Sequence, residues 1–341
     1  MKPGFQHVLA ISFLASVASL QADPPAYVGA WSFELPDGNP AWLKIDLSQS
    51  DEFEGELLWS VGSAKPVAIL LATGDRVEFQ RRVRWKPGGG KTVKVVTSPF
   101  SAVPRNGRLE LRFEQKLQVD GKISSDAKPE THVLIGKRIP APPQTPDLSA
   151  IRYGKPIELF NGKDLSGWKL SRKNKINGWK AVDGVLTNET PKTDFAAYGD
   201  YGNLITLQKF TDFRLEIEYN VPSGGNSGIY LRGMYEAQVV DRDSRMQGIH
   251  GPGAIFGRIA PLGNAGHAGG EWNTYVLTLV DRHITVELNG KKVINNQLLE
   301  GCTGGGTQAD DSAPGPIFLQ GDHTSVRYRN ILLHPVIGRK E

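Results

Sequence analysis

Apolar side chains in this chain alternate with polar ones, and no long segment repeats the i, i+3, i+4 spacing that lets a helix bury one face. In RVEFQRRVRW (76–85), Val77, Phe79 and Arg81 oppose Glu78, Gln80 and Arg82. A period of two is that of a strand with one face against a core. The 39 Gly and 22 Pro residues supply the tight turns that many short strands need. The chain is therefore expected to be all-β. Its 341 residues, 39% hydrophobic and 22% charged, suit two globular domains, each long enough to bury a core.

Residues 27–139 read as the first domain. Strands are expected at 41–47, 53–61, 66–72, 76–85, 91–98, 108–115 and 131–139. Turns are expected at Asp37-Gly38, Pro87-Gly88-Gly89-Gly90 and Asp120-Gly121. Consecutive strands joined by short turns predict a small up-and-down antiparallel β-barrel. Trp31, Trp42, Trp59 and Trp85 suit its core and rim better than a ligand cage. PAPPQTPDLSA (140–150) carries four prolines and reads as a semi-rigid linker. Residues 151–336 read as the second domain. Its strands are expected at 156–160, 179–187, 203–207, 212–221, 226–232, 235–241, 273–280, 283–288, 292–295, 316–321 and 325–334. So many strands over this length predict two packed antiparallel sheets.

Lys2, the apolar run 8–20 and the small-residue site Leu20-Gln21-Ala22 predict a signal peptide over 1–22. The run is too short for a membrane span. The mature protein is then exported, periplasmic or extracellular, and begins at Asp23. Cys302 is the single cysteine, so stability comes from packing with no intramolecular disulfide. It sits in LLEGCTGGGTQADDSAPG, read as a flexible loop in which a cysteine is incidental. The formal charge of +4 is spread among mixed signs, without a basic run interleaved with aromatics, which argues against nucleic-acid binding.

The chemistry concentrates in NSGIYLRGMYEAQVVD (226–241), which reads as two short strands folded back on each other. Alternation puts Asn226, Gly228, Tyr230 and Arg232 on one face, and Glu236 and Gln238 on a face of the next strand. Such Arg, carboxylate and amide groups suit the hydroxyls of a sugar. A charged outer face with one Arg–Glu pair is the plainer reading of the same spacing. Gln320 and His323 add polar candidates, and Tyr230 and Trp272 are the aromatic ones, although Trp272 also suits a core position. A two-carboxylate glycosidase is not supported. Glu216 and Glu218 share a solvated stripe with Arg214 and Asn220. Glu236 and Asp241 would fall on opposite faces of an unbroken strand.

Around this stretch lie IELFNGKDLSGW (157–168), WKAVDGVLT (179–187), FTDFRLEIEYNV (210–221), GAIFG (253–257), GEWNTYVLTL (270–279), HITVELNGKKV (283–293) and PIFLQGDHTSVRYRNILLHP (316–335). In this order the segments resemble the 3-keto-disaccharide hydrolase domain family, over roughly half of the chain. The resemblance implies a concanavalin A-like jelly roll with a carbohydrate on its concave sheet. The opening Gly29-Ala30-Trp31 and the GKRI ending of the first domain faintly resemble lipocalin-like domains attached to secreted relatives.

The implied chemistry starts from a sugar ketone at C3, which acidifies the C2 proton. A base removes that proton, the C1 oxygen leaves, and water adds back. His323 is the preferred base, Glu236 the rival base, and Arg232 the candidate to stabilise the enolate. Asn226, Tyr230, Gln238, Gln320 and Trp272 are the substrate-binding candidates. A divalent metal could serve the enolate instead, with Asp241 and Asp322 as weak ligand candidates, but no H-x-H or H-E-x-x-H spacing is present. The alternative from another class is a non-catalytic carbohydrate-binding module. The Gly-rich segment 242–270, with His250 and His267, reads as a lid or rim.

Overall fold

The computed structural model describes residues 23–340 except 49, 51, 87–90, 115, 124–130 and 192–199. The signal peptide expected at 1–22 and the Pro87-Gly88-Gly89-Gly90 turn lie outside the described residues. The protein is all-β, with a closed barrel followed by a two-sheet sandwich.

In the barrel, Gly29–Glu34, Pro40–Leu47, Phe53–Trp59, Lys65–Ala72, Val77–Trp85, Lys94–Arg105 and Arg108–Glu114 pair in sequence, each antiparallel to the last. Thr131–Arg138 closes the ring by pairing with both Arg108–Glu114 and Gly29–Glu34. The strand Gly29–Glu34 is the member absent from the expected set. It turns Trp31 and Phe33 into the barrel core. The interior is filled by side chains. Phe79 and Phe100 stack at 4.9 Å, Phe113 lies 5.0 Å from Phe100, and Trp59 meets both Phe100 and Phe113 edge-on.

The sandwich faces a nine-stranded sheet with a five-stranded one. The larger sheet is built around Val326–Arg339, which pairs with Phe213–Asn220 along nearly its whole length. The smaller has the order Trp168–Leu170, Leu204–Thr206, Phe318–Leu319, Asn226–Leu231, Tyr235–Val240. Alternation decides which way each residue of the last two strands points. Ile229, Leu231, Ala237 and Val239 enter the core between the sheets. Asn226, Gly228, Tyr230, Glu236 and Gln238 are left for the opposite, concave face. The strand Tyr235–Val240 is a sheet edge, and the 242–270 segment covers it. Gln238 N–H donates to Ala254 O and Phe256 N–H to Glu236 O. Covering satisfies backbone groups that an open edge would expose.

The barrel docks on the sandwich through side chains that alternation turns outward. Ala41, Leu43 and Ile45 fill the barrel, whereas Trp42 joins the sandwich core together with Leu58, Ala64 and Ile139. The Arg258 guanidinium lies 4.6 Å over the Trp42 ring. Burial of one such ring contributes roughly 2–3 kcal/mol. Lys44 bonds Glu300 at 2.8 Å, and Ser63 Oγ meets His250 Nε2 at 2.8 Å. The proline-rich stretch 140–150 runs along this body. Arg282 donates to the carbonyls of Pro140 and Ala141, and Asn296 Nδ2 to that of Pro146. The loop holding Cys302 is packed instead of flexible. Thr303 N–H donates to Met234 O, and burial pushes the Cys302 thiol up to about 12, so it stays protonated and inert.

Candidate functional site

A cavity of about 670 Å³ opens on the concave face of the five-stranded sheet. Its floor is the Asn226–Leu231 and Tyr235–Val240 hairpin, where Tyr230 lies opposite Glu236 and Gly228 opposite Gln238. Glu236 folds its side chain across Gly228. A Cβ at position 228 would stand 2.3 Å from Glu236 Oε1, so the floor needs a glycine. Gly228→Ala is expected to cost about 1–3 kcal/mol, the usual scale of overpacking. Chemical denaturation measures it, and an unchanged midpoint would mean that Glu236 does not lie where it is described.

Glu236 is buried beside Tyr230, whose Oη lies 2.9 Å from Glu236 Oε2 and 3.0 Å from Gly304 O. A phenol has a single proton, and the Gly304 carbonyl can only accept. That proton is shared between Glu236 Oε2 and Gly304 O. Burial pushes the Glu236 carboxyl up to about 8, the Tyr230 hydrogen bond pulls the other way, and the nearby Asp322 charge adds to the rise. Near neutrality this carboxyl is mainly an acid.

The second group comes from the turn after Phe318–Leu319. His323 Nδ1 lies 2.5 Å from Asp322 Oδ1, and Asn203 Nδ2 reaches Asp322 Oδ2 at 3.2 Å. Asn203 Oδ1 accepts the Gly321 N–H at 2.7 Å, and Thr324 Oγ1 exchanges hydrogen bonds with the Asn226 backbone. The turn is thus tied at both ends. Burial pushes the His323 imidazole down to about 4 and raises the Asp322 carboxyl. Near neutrality the imidazole is uncharged. With its proton on Nδ1 toward Asp322, its lone pair is on Nε2.

Glu236, Gln238, Gln320, His323, Asn226 and Tyr230 all line the cavity. Buried Asn226 Oδ1 and Gln320 Oε1 have no hydrogen-bond partner among the described residues, a state that a hydroxyl donor would relieve. Gln238 is partly committed, donating to His250 O at 3.2 Å. Tyr230 stacks on Phe318 at 4.4 Å, so it serves the cavity through its hydroxyl and not as an open platform.

Three sequence candidates lie elsewhere. Arg232 is not in the cavity. The strand ends at Leu231, and Arg232 takes φ +55, which breaks the alternation and sends the guanidinium to the carbonyls of Asp311 and Ala313. Trp272 begins a strand of the other sheet, where the Arg329 guanidinium lies 4.0 Å over its ring. Asp241 follows the last residue of its strand, and its two oxygens accept the backbone N–H groups of Gly224 and Asp243. Asp322 does line the cavity, as the partner of His323. Among the described residues, no three His, Cys, Asp or Glu side chains are grouped to hold a metal ion.

Asn203 and the individual residues of the cavity's rim are not among the sequence candidates. Arg245, Met246 and Phe256 come from the 242–270 segment, so the expected rim is present but its useful residues are not the histidines. Val61 and Gly62 come from the barrel. Only the Gly-rich composition of 242–270 hinted at any of these.

The profile of the family described as "3-keto-alpha-glucoside-1,2-lyase-like domain" matches residues 155–334. The chain belongs to this family. The 3-keto-glucoside lyase-like part is the sandwich, including every cavity group named above except those from the barrel. A 3-keto-disaccharide hydrolase of Bacteroides thetaiotaomicron is 39% identical over 75 residues, 22% of this chain. That match spans 26% of the length of the relative. Among solved structures, a candidate glycosyl hydrolase from Parabacteroides distasonis is 21% identical, with a TM-score of 0.43, covering 53% of this chain and 93% of the other. A laminarinase from a Flavobacterium species is 12% identical, with a TM-score of 0.29, covering 54% of this chain and 100% of the other.

Proposed function

We propose that this protein cleaves the glycosidic bond of 3-keto-glucosides by removing the C2 proton. The single observation that carries the reading is an imidazole and a carboxyl in one cavity, each held by its own hydrogen-bond chain, with burial lowering the pKa of the first and raising that of the second. Environments that drive two titratable groups apart in this way assign a base and an acid.

His323 Nε2 takes the proton from C2, and Asp322 steadies the imidazolium that forms. The C2–H electron pair passes into the enolate of the C3 ketone. It then returns to form the C1–C2 double bond as the C1–O bond breaks. The departing oxygen keeps the bonding pair and receives the Glu236 proton. Water added across C1 and C2 restores a hydrated sugar, giving net hydrolysis. The amides of Asn226 and Gln320 are placed to bond the sugar hydroxyls. No step is assigned to Arg232, and none is routed through a metal. Family membership and the named Bacteroides relative support the substrate class. The family's name joins a 3-keto-glucoside to 1,2-lyase chemistry, and the relative's name joins a 3-keto-disaccharide to hydrolysis.

Incubation of the purified protein with 3-keto-glucosides and with the parent glucosides in deuterated water tests this. Turnover of the keto sugars alone, with deuterium entering C2, is expected, because without the ketone the C2 proton is not acidic. Equal rates on both sugars, or retention of the C2 hydrogen, would exclude the mechanism. Binding of sugars with no turnover of any would favour a carbohydrate-binding module.

A further inference from the structure

The cavity wall is not all of one chemistry. Most of its polar groups come from the concave sheet and the 320–324 turn, with Asn203 just before Leu204–Thr206 and Arg245 from the 242–270 segment. Val61, Met246 and Phe256 form an apolar portion, and Val61 belongs to the barrel.

The loop that carries Val61 is held in an unusual shape. Ser60 takes φ +68 and Gly62 φ +78, and the Val61 N–H bonds back to Trp59 O at 2.9 Å, a tight three-residue turn. A left-handed serine is strained and persists only where its surroundings hold it. Here they do. Ser60 N–H donates to Pro40 O at 3.0 Å, and Asn39 Nδ2 to Ser60 Oγ at 3.0 Å. Across the seam, Gly305 N–H donates to Ser60 O at 2.8 Å. Ser63 closes the far end on His250, whose ring lies 4.7 Å from that of Phe256. The fit is close on both sides. A Cβ at Gly304 would stand 2.4 Å from Gly62 N, and one at Gly257 would stand 2.5 Å from Ser63 Oγ. The product of this bracing is an isopropyl group 68% exposed in the cavity wall. A valine so displayed does nothing for the barrel core.

We propose that the barrel loop Ser60–Ser63 forms the leaving-group subsite of the cavity, with Val61, Met246 and Phe256 selecting an apolar, aromatic aglycone over a second sugar. This rests on the reaction inferred above only for its turnover arm. The sugar ring takes the polar floor near Glu236 and His323, and the aglycone takes the apolar wall. The barrel is then part of the enzyme's specificity and not an appended unit.

The test compares Val61→Asp and Val61→Ala with the unmodified full chain. Val61 is exposed and outside the core, so neither change threatens folding. With 4-nitrophenyl 3-keto-glucoside, Val61→Asp is expected to raise KM about tenfold or more and Val61→Ala by less, the scale of a lost apolar contact. With methyl 3-keto-glucoside, which has no group to fill the wall, the effect of either variant should be much smaller than with the aryl sugar. Calorimetry with unoxidised 4-nitrophenyl and methyl glucosides reads the subsite without any turnover, and the aryl preference should again fall in Val61→Asp. Equal effects on aryl and methyl sugars, or none on either, would overturn the subsite while leaving the reaction intact. A Val61-dependent aryl preference in binding, without turnover of any keto sugar, would keep the subsite and remove the reaction.

Discussion

His323→Ala is expected to lower turnover of a 3-keto-glucoside by roughly 100-fold or more, the usual scale for a missing general base. The imidazole is the cavity group whose neutral form is held across the neutral range. Burial keeps it uncharged, and Asp322, itself braced by Asn203, accepts the hydrogen bond from its Nδ1–H. Loss of the ring should also stop exchange of the C2 proton with solvent, while binding of an unreactive glucoside persists. Asn203→Ala should act in the same direction but more weakly, since it removes only the brace. If His323→Ala still exchanges C2 deuterium at the native rate, the base is another group, and Glu236 is the one left.

Glu236→Gln is expected to remove both rate and pH dependence. The folded carboxyl is raised to about 8, so its proton is present below that pH and is lost as pH rises through it. Turnover by the native protein should therefore hold near neutrality and fall above about 8. The glutamine variant should be slower by roughly 100-fold and should lack the alkaline fall. Stability carries the same sign. Between its ordinary value of 4.5 and about 8, the unfolded carboxyl is ionised and the folded one is not, so stability contributed by this group declines as pH rises through that window. Glu236→Gln should flatten that decline in denaturation measured from pH 5 to 8. An alkaline limb that survives in the variant would assign it to a different group.

Much of the architecture was legible because it rests on local alternation. Barrel strands such as Val77–Trp85 and the hairpin 226–240 follow directly from period two. That period also brought Asn226, Tyr230, Glu236 and Gln238 to one face. The same rule misplaced Arg232, because one residue at positive φ after Leu231 ends the alternation, and arginine gives no warning of such a turn. Trp272 and Asp241 failed for a related reason. Residue type suited a sugar site, but the sheet in which each residue sits is set by long-range pairing. Asn203 reaches Asp322 across 119 residues of sequence, and no local pattern announces that contact. The role of Val61 depends on how two separately legible bodies dock, which side-chain periodicity does not encode.

That docking makes occupancy of the cavity a mechanical matter for the whole chain. A ligand that touches both the Val61 wall and the concave floor binds the docked arrangement and not the separated one. At one hundred times its dissociation constant, such a ligand adds about 2.7 kcal/mol to the docked form. The bare seam, built on Trp42, Arg258 and a few crossing hydrogen bonds, is then only part of what fastens the barrel. On the proposed reaction and subsite, substrate is a removable rivet between the two bodies, and each turnover, by releasing its products, takes that rivet out.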